Sequence, residues 1–306
     1  MKNNRYSTSQ LETYAKCPYK YFAERILNLE QIAEPVEEVE ALEMGSILHN
    51  ILYDFYARLK NKNIILFNCS QDELKYAEDL LFSIAEKKVE DANFKSPLSF
   101  YDREKILGIN NNRRSSILYE FLKAERERKD GFVPAFLEVG FGFPDNYEIP
   151  ESVRNIKVKD IAVRGKIDRI DINNEERAFK VIDYKLGGRK PTDEDLRTGI
   201  SLQLPLYMFA AKELIKAQLK KDFEPEGADI YSLRYREKYF GRLPVKSLSS
   251  DKSSAEILIE SCLDSIAEYV QSISTGKFHL TQLKDRENKV CRFCSFRAIC
   301  RIEETG

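Results

Sequence analysis

Val181-Ile182-Asp183-Tyr184-Lys185 is a short apolar stretch that carries a carboxylate and an amine, bounded downstream by Gly187-Gly188. It reads as a buried strand. Strand residues two apart share a face, so Asp183 and Lys185 point one way and Tyr184 the other. Upstream, Gly165-Lys166-Ile167-Asp168-Arg169-Ile170-Asp171 reads as a second strand, with Val163, Ile167 and Ile170 apolar among polar neighbours. Set beside the first, it brings Asp168 next to Asp183. Two carboxylates with an ammonium suit metal-assisted phosphodiester hydrolysis. The acids hold Mg²⁺ or Mn²⁺, and the lysine orients or polarises the attacking water or the phosphate. In isolation, an Asp-x-Lys at a strand end is more often a solvated edge or a structural ion pair, so its company decides.

Working outward, strands are expected at about 135–143, 157–172 and 178–185, then a helix over about 199–220 and a strand at 228–235. Loops at 144–155, 222–227 and 243–254 carry the Pro, Gly, Ser and Asp signals of connections. The upstream part reads as helical. Ser9 and Glu12 stand in capping-box spacing at the start of the first helix. The acidic run from Glu34 to Glu43 reads as a loop leading into the helix of His49. Residues 71–93 form an amphipathic pattern through Leu74, Ala77, Leu81, Ile84 and Ala85. A helix over about 102–130 places Ile106, Ile109, Ile117, Leu118, Phe121 and Leu122 inward. Its Arg113, Arg114, Arg126 and Arg128 read as a solvated face, with a phosphate-tracking surface as the alternative. A last helix over about 255–273 leads to the cysteine-rich end.

The 306 residues exceed a typical single domain, yet one enlarged α/β domain remains open. A hydrophobic content of 42% suffices for a sizeable core, and a net charge of −1 leaves room for a local basic patch. No leader-like segment and no run of ~20 apolar residues occurs, so a cytoplasmic location is the default expectation. A phosphate-binding Gly-rich loop is also missing: Thr275-Gly276-Lys277 lacks its first glycine and its following hydroxyl.

Two further positions keep company with the acids. His49 stands among Ile47, Leu48, Ile51, Leu52 and Phe55, on an apolar helical face, where it is either a satisfied core histidine or a metal ligand. Gln203 and Tyr207 are four apart and share a helix face, which ordinary packing would also explain. In this order, His49, Asp168 in its Gly-x-x-Asp-Arg-x-Asp setting, Asp183 with Lys185, and Gln203 with Tyr207 resemble the motifs of the PD-(D/E)XK nuclease superfamily, specifically the RecB/AddB-type exonuclease domain. The resemblance covers nearly the whole chain. It implies a restriction-endonuclease-like α/β core, a central mixed sheet flanked by helices. A mainly helical N-terminal part (1–130), the nuclease core (131–245) and a C-terminal helix with a cluster-binding segment (246–306) would form one domain. It also implies Mg²⁺ or Mn²⁺ on His49, Asp168 and Asp183, with Lys185, Gln203 and Tyr207 at the catalytic centre. Glu138, an acid on an otherwise apolar strand, is expected at the edge of the site, and Asp171 in a structural role. His279 matches no motif.

The chain ends with Cys291-x2-Cys294-x5-Cys300, three thiols that make an incomplete tetrahedral site. Cys17, followed by Pro18, is the natural fourth ligand, and the clip would close a loop across almost the entire chain. Spacing accepts Zn²⁺ or an iron–sulfur cluster. The resemblance implies a 4Fe-4S cluster, used as a structural staple. Disulfides are disfavoured by the intracellular look of the chain, and Cys69 and Cys262 fall outside the pattern.

The expected activity is therefore metal-dependent DNA exonuclease action on single-stranded ends in double-strand-break repair, with a partner helicase or within a parent helicase–nuclease chain. A non-catalytic DNA-binding scaffold module and a zinc-stabilised interaction domain are the alternatives. Arg164, Lys166, Arg169, Arg189 and Lys190 are candidates for phosphate contacts. Tyr19, Tyr21, Tyr231, Tyr235 and Tyr239 are candidates for base stacking.

Overall fold

The computed structural model describes residues 5–30, 41–92, 100–187, 190–235, 240–249 and 252–303. The expected acidic loop therefore falls largely outside the described residues, as do Arg189 and Tyr239. The strands are β1 (Tyr6–Ser7), β2 (Val133–Phe141), β3 (Lys157–Val158), β4 (Ile161–Asn173), β5 (Ala178–Lys185), β6 (Glu224–Ser232) and β7 (Gly241–Pro244). The helices before β2 are α1 (Thr8–Lys16), α2 (Pro18–Tyr21), α3 (Ala41–Asn61), α4 (Gln71–Glu90), α5 (Phe100–Leu107) and α6 (Ile117–Arg126). Those after it are α7 (Glu151–Arg154), α8 (Asp193–Arg197), α9 (Gln203–Leu219), α10 (Lys246–Ser249), α11 (Lys252–Ser274) and α12 (Arg297–Cys300). Among the described residues no helix is long and apolar enough to cross a membrane.

The sheet is mixed. β5 pairs antiparallel with β4 and parallel with β6, while β2 and β7 pair antiparallel with β4 and β6. The parallel β5–β6 pair needs a crossover, and α8 and α9 supply it. Alternation along β5 sends Phe179 and Val181 to a core that includes α9 and α11, and Ile182 and Tyr184 to a core built on α3, α4 and α6. Helices thus flank both faces, as the expected nuclease fold requires.

Several local expectations shift. Ser7, not Ser9, caps α1, in a reciprocal pair with Gln10. The reason is that Tyr6 and Ser7 are held as a strand beside Val163 and Arg164 of β4. The long helix over 102–130 is broken at Gly108, whose φ of 105° suits glycine alone; a Cβ there would lie 2.2 Å from the Asn112 carbonyl oxygen. β6 begins at Glu224, inside an expected loop, because Ala178 at the start of β5 pairs with it. β7 and α10 likewise occupy part of the expected 243–254 loop.

The basic residues divide differently from expectation. Arg126 is not a solvated side chain: its Nη1 donates to the carbonyls of Leu66 at 3.0 Å and Cys69 at 2.6 Å. Arg128, only 8% exposed, bonds Glu125 and the Phe132 carbonyl. Arg169, expected to meet phosphate, is 0% exposed and belongs to a buried charge network. It holds Asp171 through Nε at 2.6 Å and Nη2 at 2.8 Å, Glu125 at 2.8 Å, and the Tyr56 hydroxyl at 2.8 Å. Arg242 joins the same carboxylates, 3.2 Å from Glu125 and 2.6 Å from Asp171. Burial raises the carboxyl pKa values of Glu125 and Asp171, but the surrounding guanidinium groups more than offset it and hold both below the usual range. Tyr21 and Tyr231 are core residues rather than stacking platforms.

Candidate active site

The register of the sheet lines up three acids. Arg169 faces Ile182 between β4 and β5, so the next rung sets Asp168 beside Asp183. Between β2 and β4, Leu137 faces Arg169 and Val139 faces Ile167, so Glu138 stands beside Asp168. Glu138 adopts a left-handed conformation, φ 50°, inside its strand. Such a backbone costs about 1–3 kcal/mol and is found where function or a tight site holds it.

Helix α3 lays His49 over this row. Its Nδ1 lies 3.2 Å from Glu138 Oε1 and 3.5 Å from Asp168 Oδ1, and its Nε2 lies 3.4 Å from the Tyr184 carbonyl oxygen. The ligand atoms of His49, Glu138 and Asp168 all fall within 4.8 Å of one another, so this group could hold a metal ion. Asp168 also accepts the backbone N–H of Tyr184 at 2.9 Å. Asp183 faces the same cleft but is engaged differently. Gln203 Nε2 donates to its Oδ1 at 2.9 Å, and Lys185 Nζ stands 2.9 Å from its Oδ2. Lys185 also donates to Gln203 Oε1 at 3.3 Å, and Gln203 Nε2 lies 3.3 Å from the Tyr207 hydroxyl. Lys166, 58% exposed at the mouth, pairs with Glu138 at 2.6 Å. A cleft of about 550 Å³ is lined by His49, Glu138, Lys166, Asp168, Asp183, Lys185 and Gln203, together with Gly45, Ser46 and Asn50 from α3.

His49, Asp168, Asp183, Lys185, Gln203 and Tyr207 thus meet in or beside one cleft. Glu138 stands closer to His49 than its expected edge position suggested. Its signal, an acid on an apolar strand, was visible, but its place beside Asp168 depends on a non-local register.

The electrostatics suit a cation. Burial, followed by the charge of Asp183, pushes Asp168 up to about 7. Burial also raises Asp183, and Lys185 only partly counters it. Burial opposes protonation of His49, but Glu138 and Asp168 outweigh it and raise its pKa. Asp183 Oδ2 is buried without a hydrogen bond of good geometry, its neighbour Lys185 notwithstanding. A hard divalent cation takes carboxylate oxygens, and an acid row in which burial and the neighbouring Asp183 raise Asp168 fits one.

The cysteines lie away from this cleft. Cys17 ends α1 and caps α2, its thiol accepting from Lys20 N at 3.4 Å. Cys17, Cys291 and Cys294 lie within electrostatic reach of one another. Cys300 closes α12 on the same segment, and all six cysteines are free thiols. Burial raises the Cys17 and Cys291 thiols. Four thiols from two stretches far apart in sequence are a donor set that suits zinc or an iron–sulfur cluster. Cys262 is buried against the Leu202 carbonyl, and Cys69 against that of Leu66.

Comparison with known proteins agrees with this geometry. Residues 5–301 match the family model of the PD-(D/E)XK nuclease superfamily. The chain is similar to an ATP-dependent helicase/deoxyribonuclease subunit from Carboxydothermus hydrogenoformans, 25% identical over 97% of this chain and 31% of that protein. It is similar to proteins of the same name from Clostridium tetani, 26% identical over 72% of this chain and 19% of that one, and from Lachnoclostridium phytofermentans, 29% identical over 74% and 18%. The chain spans about a third or less of the length of these relatives. A mixed sheet with its acids in register, an Asp-x-Lys strand beside them and a match over nearly all of its length place this chain in the PD-(D/E)XK nuclease superfamily.

Proposed function

We propose that this chain is a divalent-cation-dependent deoxyribonuclease. It would act as an exonuclease on single-stranded DNA ends, as the nuclease module of a helicase–nuclease machine in double-strand-break repair. The observation that carries the reading is the row Glu138, Asp168 and Asp183 on three adjacent strands, with His49 above it and Lys185 2.9 Å from Asp183. His49, Asp168 and Asp183 would hold Mg²⁺ or Mn²⁺, with Glu138 as a further acid beside them. A bound cation of this kind polarises a phosphoryl oxygen and makes water a better nucleophile near neutral pH.

The protein's own groups do the rest. Lys185 places an ammonium beside the reacting phosphate, where it favours negative charge developing in the transition state. Gln203 holds both Asp183 and Lys185, and Tyr207 orients Gln203. Burial pushes the Tyr207 hydroxyl up to about 12, so it stays a neutral hydrogen-bonding group at working pH. Lys166 at the mouth is placed to meet a backbone phosphate, which positions the strand without reading its sequence. The direct test is cleavage of end-labelled single-stranded DNA with and without Mg²⁺ or Mn²⁺. Cation-dependent shortening supports the reading, and DNA binding with no cleavage would leave a scaffold module in its place.

Asp168 gives a second, independent check. Its carboxyl pKa is raised from 3.8 to about 7, so the folded metal-free protein holds a proton there that the unfolded chain releases. Its contribution to metal-free stability therefore falls as pH rises between those values. A cation must displace that proton. Mg²⁺ is thus expected to raise the melting temperature clearly at pH 8 and much less at pH 6, by differential scanning fluorimetry. Equal shifts at both pH values would count against a cation on Asp168.

Cys17, Cys291, Cys294 and Cys300 are assigned to a 4Fe-4S cluster of structural role, with Zn²⁺ as the alternative. Protein purified without oxygen is expected to be brown, with iron and acid-labile sulfide in equal amounts. A colourless zinc protein would decide for the alternative, since Zn²⁺ has a filled d shell.

A further inference from the structure

Helix α9 begins without a cap of its own. Leu202 occupies the N-cap position, and its side chain can accept nothing. The first N–H groups of a helix have no acceptor within it and must find one elsewhere. Glu12, on α1, provides one from 190 residues away in sequence: its Oε1 accepts from Leu202 N at 2.7 Å and from Gln203 N at 3.1 Å. The carboxylate also sits at the positive end of the α9 dipole. Thr8, one turn earlier on α1, is buried beside Tyr207.

The second of those N–H groups belongs to Gln203, whose side chain spans Asp183 and Lys185. A one-oxygen clamp on the Gln203 backbone therefore sets where its amide can reach. Glu12 is not among the residues lining the cleft, and its hydrogen bond to the Gln203 backbone ties it to a residue that is. An ordinary helix cap contributes about 0.5–2 kcal/mol of stability, whereas a misplacement of about 1 Å in a catalytic group can cost on the order of 10²-fold in rate.

We propose that Glu12 is a positioning residue of the hydrolytic site, acting through Gln203 and not on the substrate; the inference rests on the catalytic reading above. Glu12→Ala is expected to lower kcat about tenfold or more, while KM for single-stranded DNA stays within about twofold. Glu12→Gln keeps an oxygen that can accept both N–H bonds and is expected to recover most of the rate. Because the effect passes through Gln203, Glu12→Ala should cost nothing further in a Gln203→Ala background, a coupling that a double-mutant cycle reads directly.

Hydrogen exchange read by mass spectrometry on the same proteins follows the clamp without relying on activity. Glu12→Ala should speed exchange at residues 202–206 and leave β5 protected. Losses that multiply in the double variant, a raised KM with intact kcat, or unchanged exchange at 202–206 would each overturn the proposal. A wild-type protein that cleaves nothing would sink the catalytic reading instead, and the exchange data would still decide whether Glu12 holds α9.

Discussion

Lys185→Ala is expected to lower cation-dependent cleavage of single-stranded DNA by on the order of 10³-fold, about 4 kcal/mol of barrier, in a protein that still folds. The side chain is 41% exposed and faces the cleft, so its removal opens no core cavity. What it removes is the ammonium beside Asp183. Burial already raises the Asp183 carboxyl against the opposing pull of Lys185, and without that charge the carboxyl should rise further. A bound cation can neutralise the acid but cannot replace the amine at the reacting phosphate. DNA affinity, read by fluorescence anisotropy in Ca²⁺, should therefore change little while the single-turnover rate collapses. A variant that cleaves within about tenfold of wild type would remove Lys185 from the chemistry.

Arg169→Met should produce the largest loss of stability, about 3–5 kcal/mol in urea unfolding at pH 7. The guanidinium is wholly buried and bonds Asp171, Glu125, Tyr56 and Tyr184. Methionine fills much of the volume but leaves two buried carboxylates with Arg128 and Arg242 as their remaining counter-charge among the described residues. The pH dependence carries a sign. Glu125 and Asp171 have folded pKa values below their unfolded ones, so they stabilise above the ordinary carboxylate range. That contribution is lost as pH falls through this range toward their folded pKa values. The gap between wild type and Arg169→Met should therefore narrow from pH 7 to pH 3. A gap under about 1 kcal/mol at pH 7 would show that the network contributes little net stability.

The strands of the cleft were legible because two-residue alternation is a local signal. It separated Asp183 and Lys185 from Tyr184 and put Asp168 and Asp171 on opposite faces. The same alternation places Arg169 with Asp171, away from the cleft, and assigning it to phosphate overlooked that parity. Gly108 hid inside a convincing helical pattern, since periodicity counts apolar residues and is blind to one residue needing positive φ. Ser7 and Ser9 both look like caps, and the choice between them was made by a strand pairing some 150 residues away. Glu138 and Glu12 were harder still. Glu138 showed as an acid among apolar neighbours, but its place beside Asp168 depends on the register of β2 against β4, and the role of Glu12 depends on a contact spanning 190 residues.

Helix α1 is also held by residues more than 260 positions later. The Tyr14 hydroxyl donates to the Lys277 carbonyl at 2.6 Å, and the Thr281 hydroxyl to that of Lys16 at 2.6 Å. The segment that holds α1 is therefore made more than 260 residues after it. A chain cut short near residue 270 would carry every acid of the cleft yet lack the grip that aligns them. Assembly of the cleft is thus tied to a segment that contributes no residue to its lining.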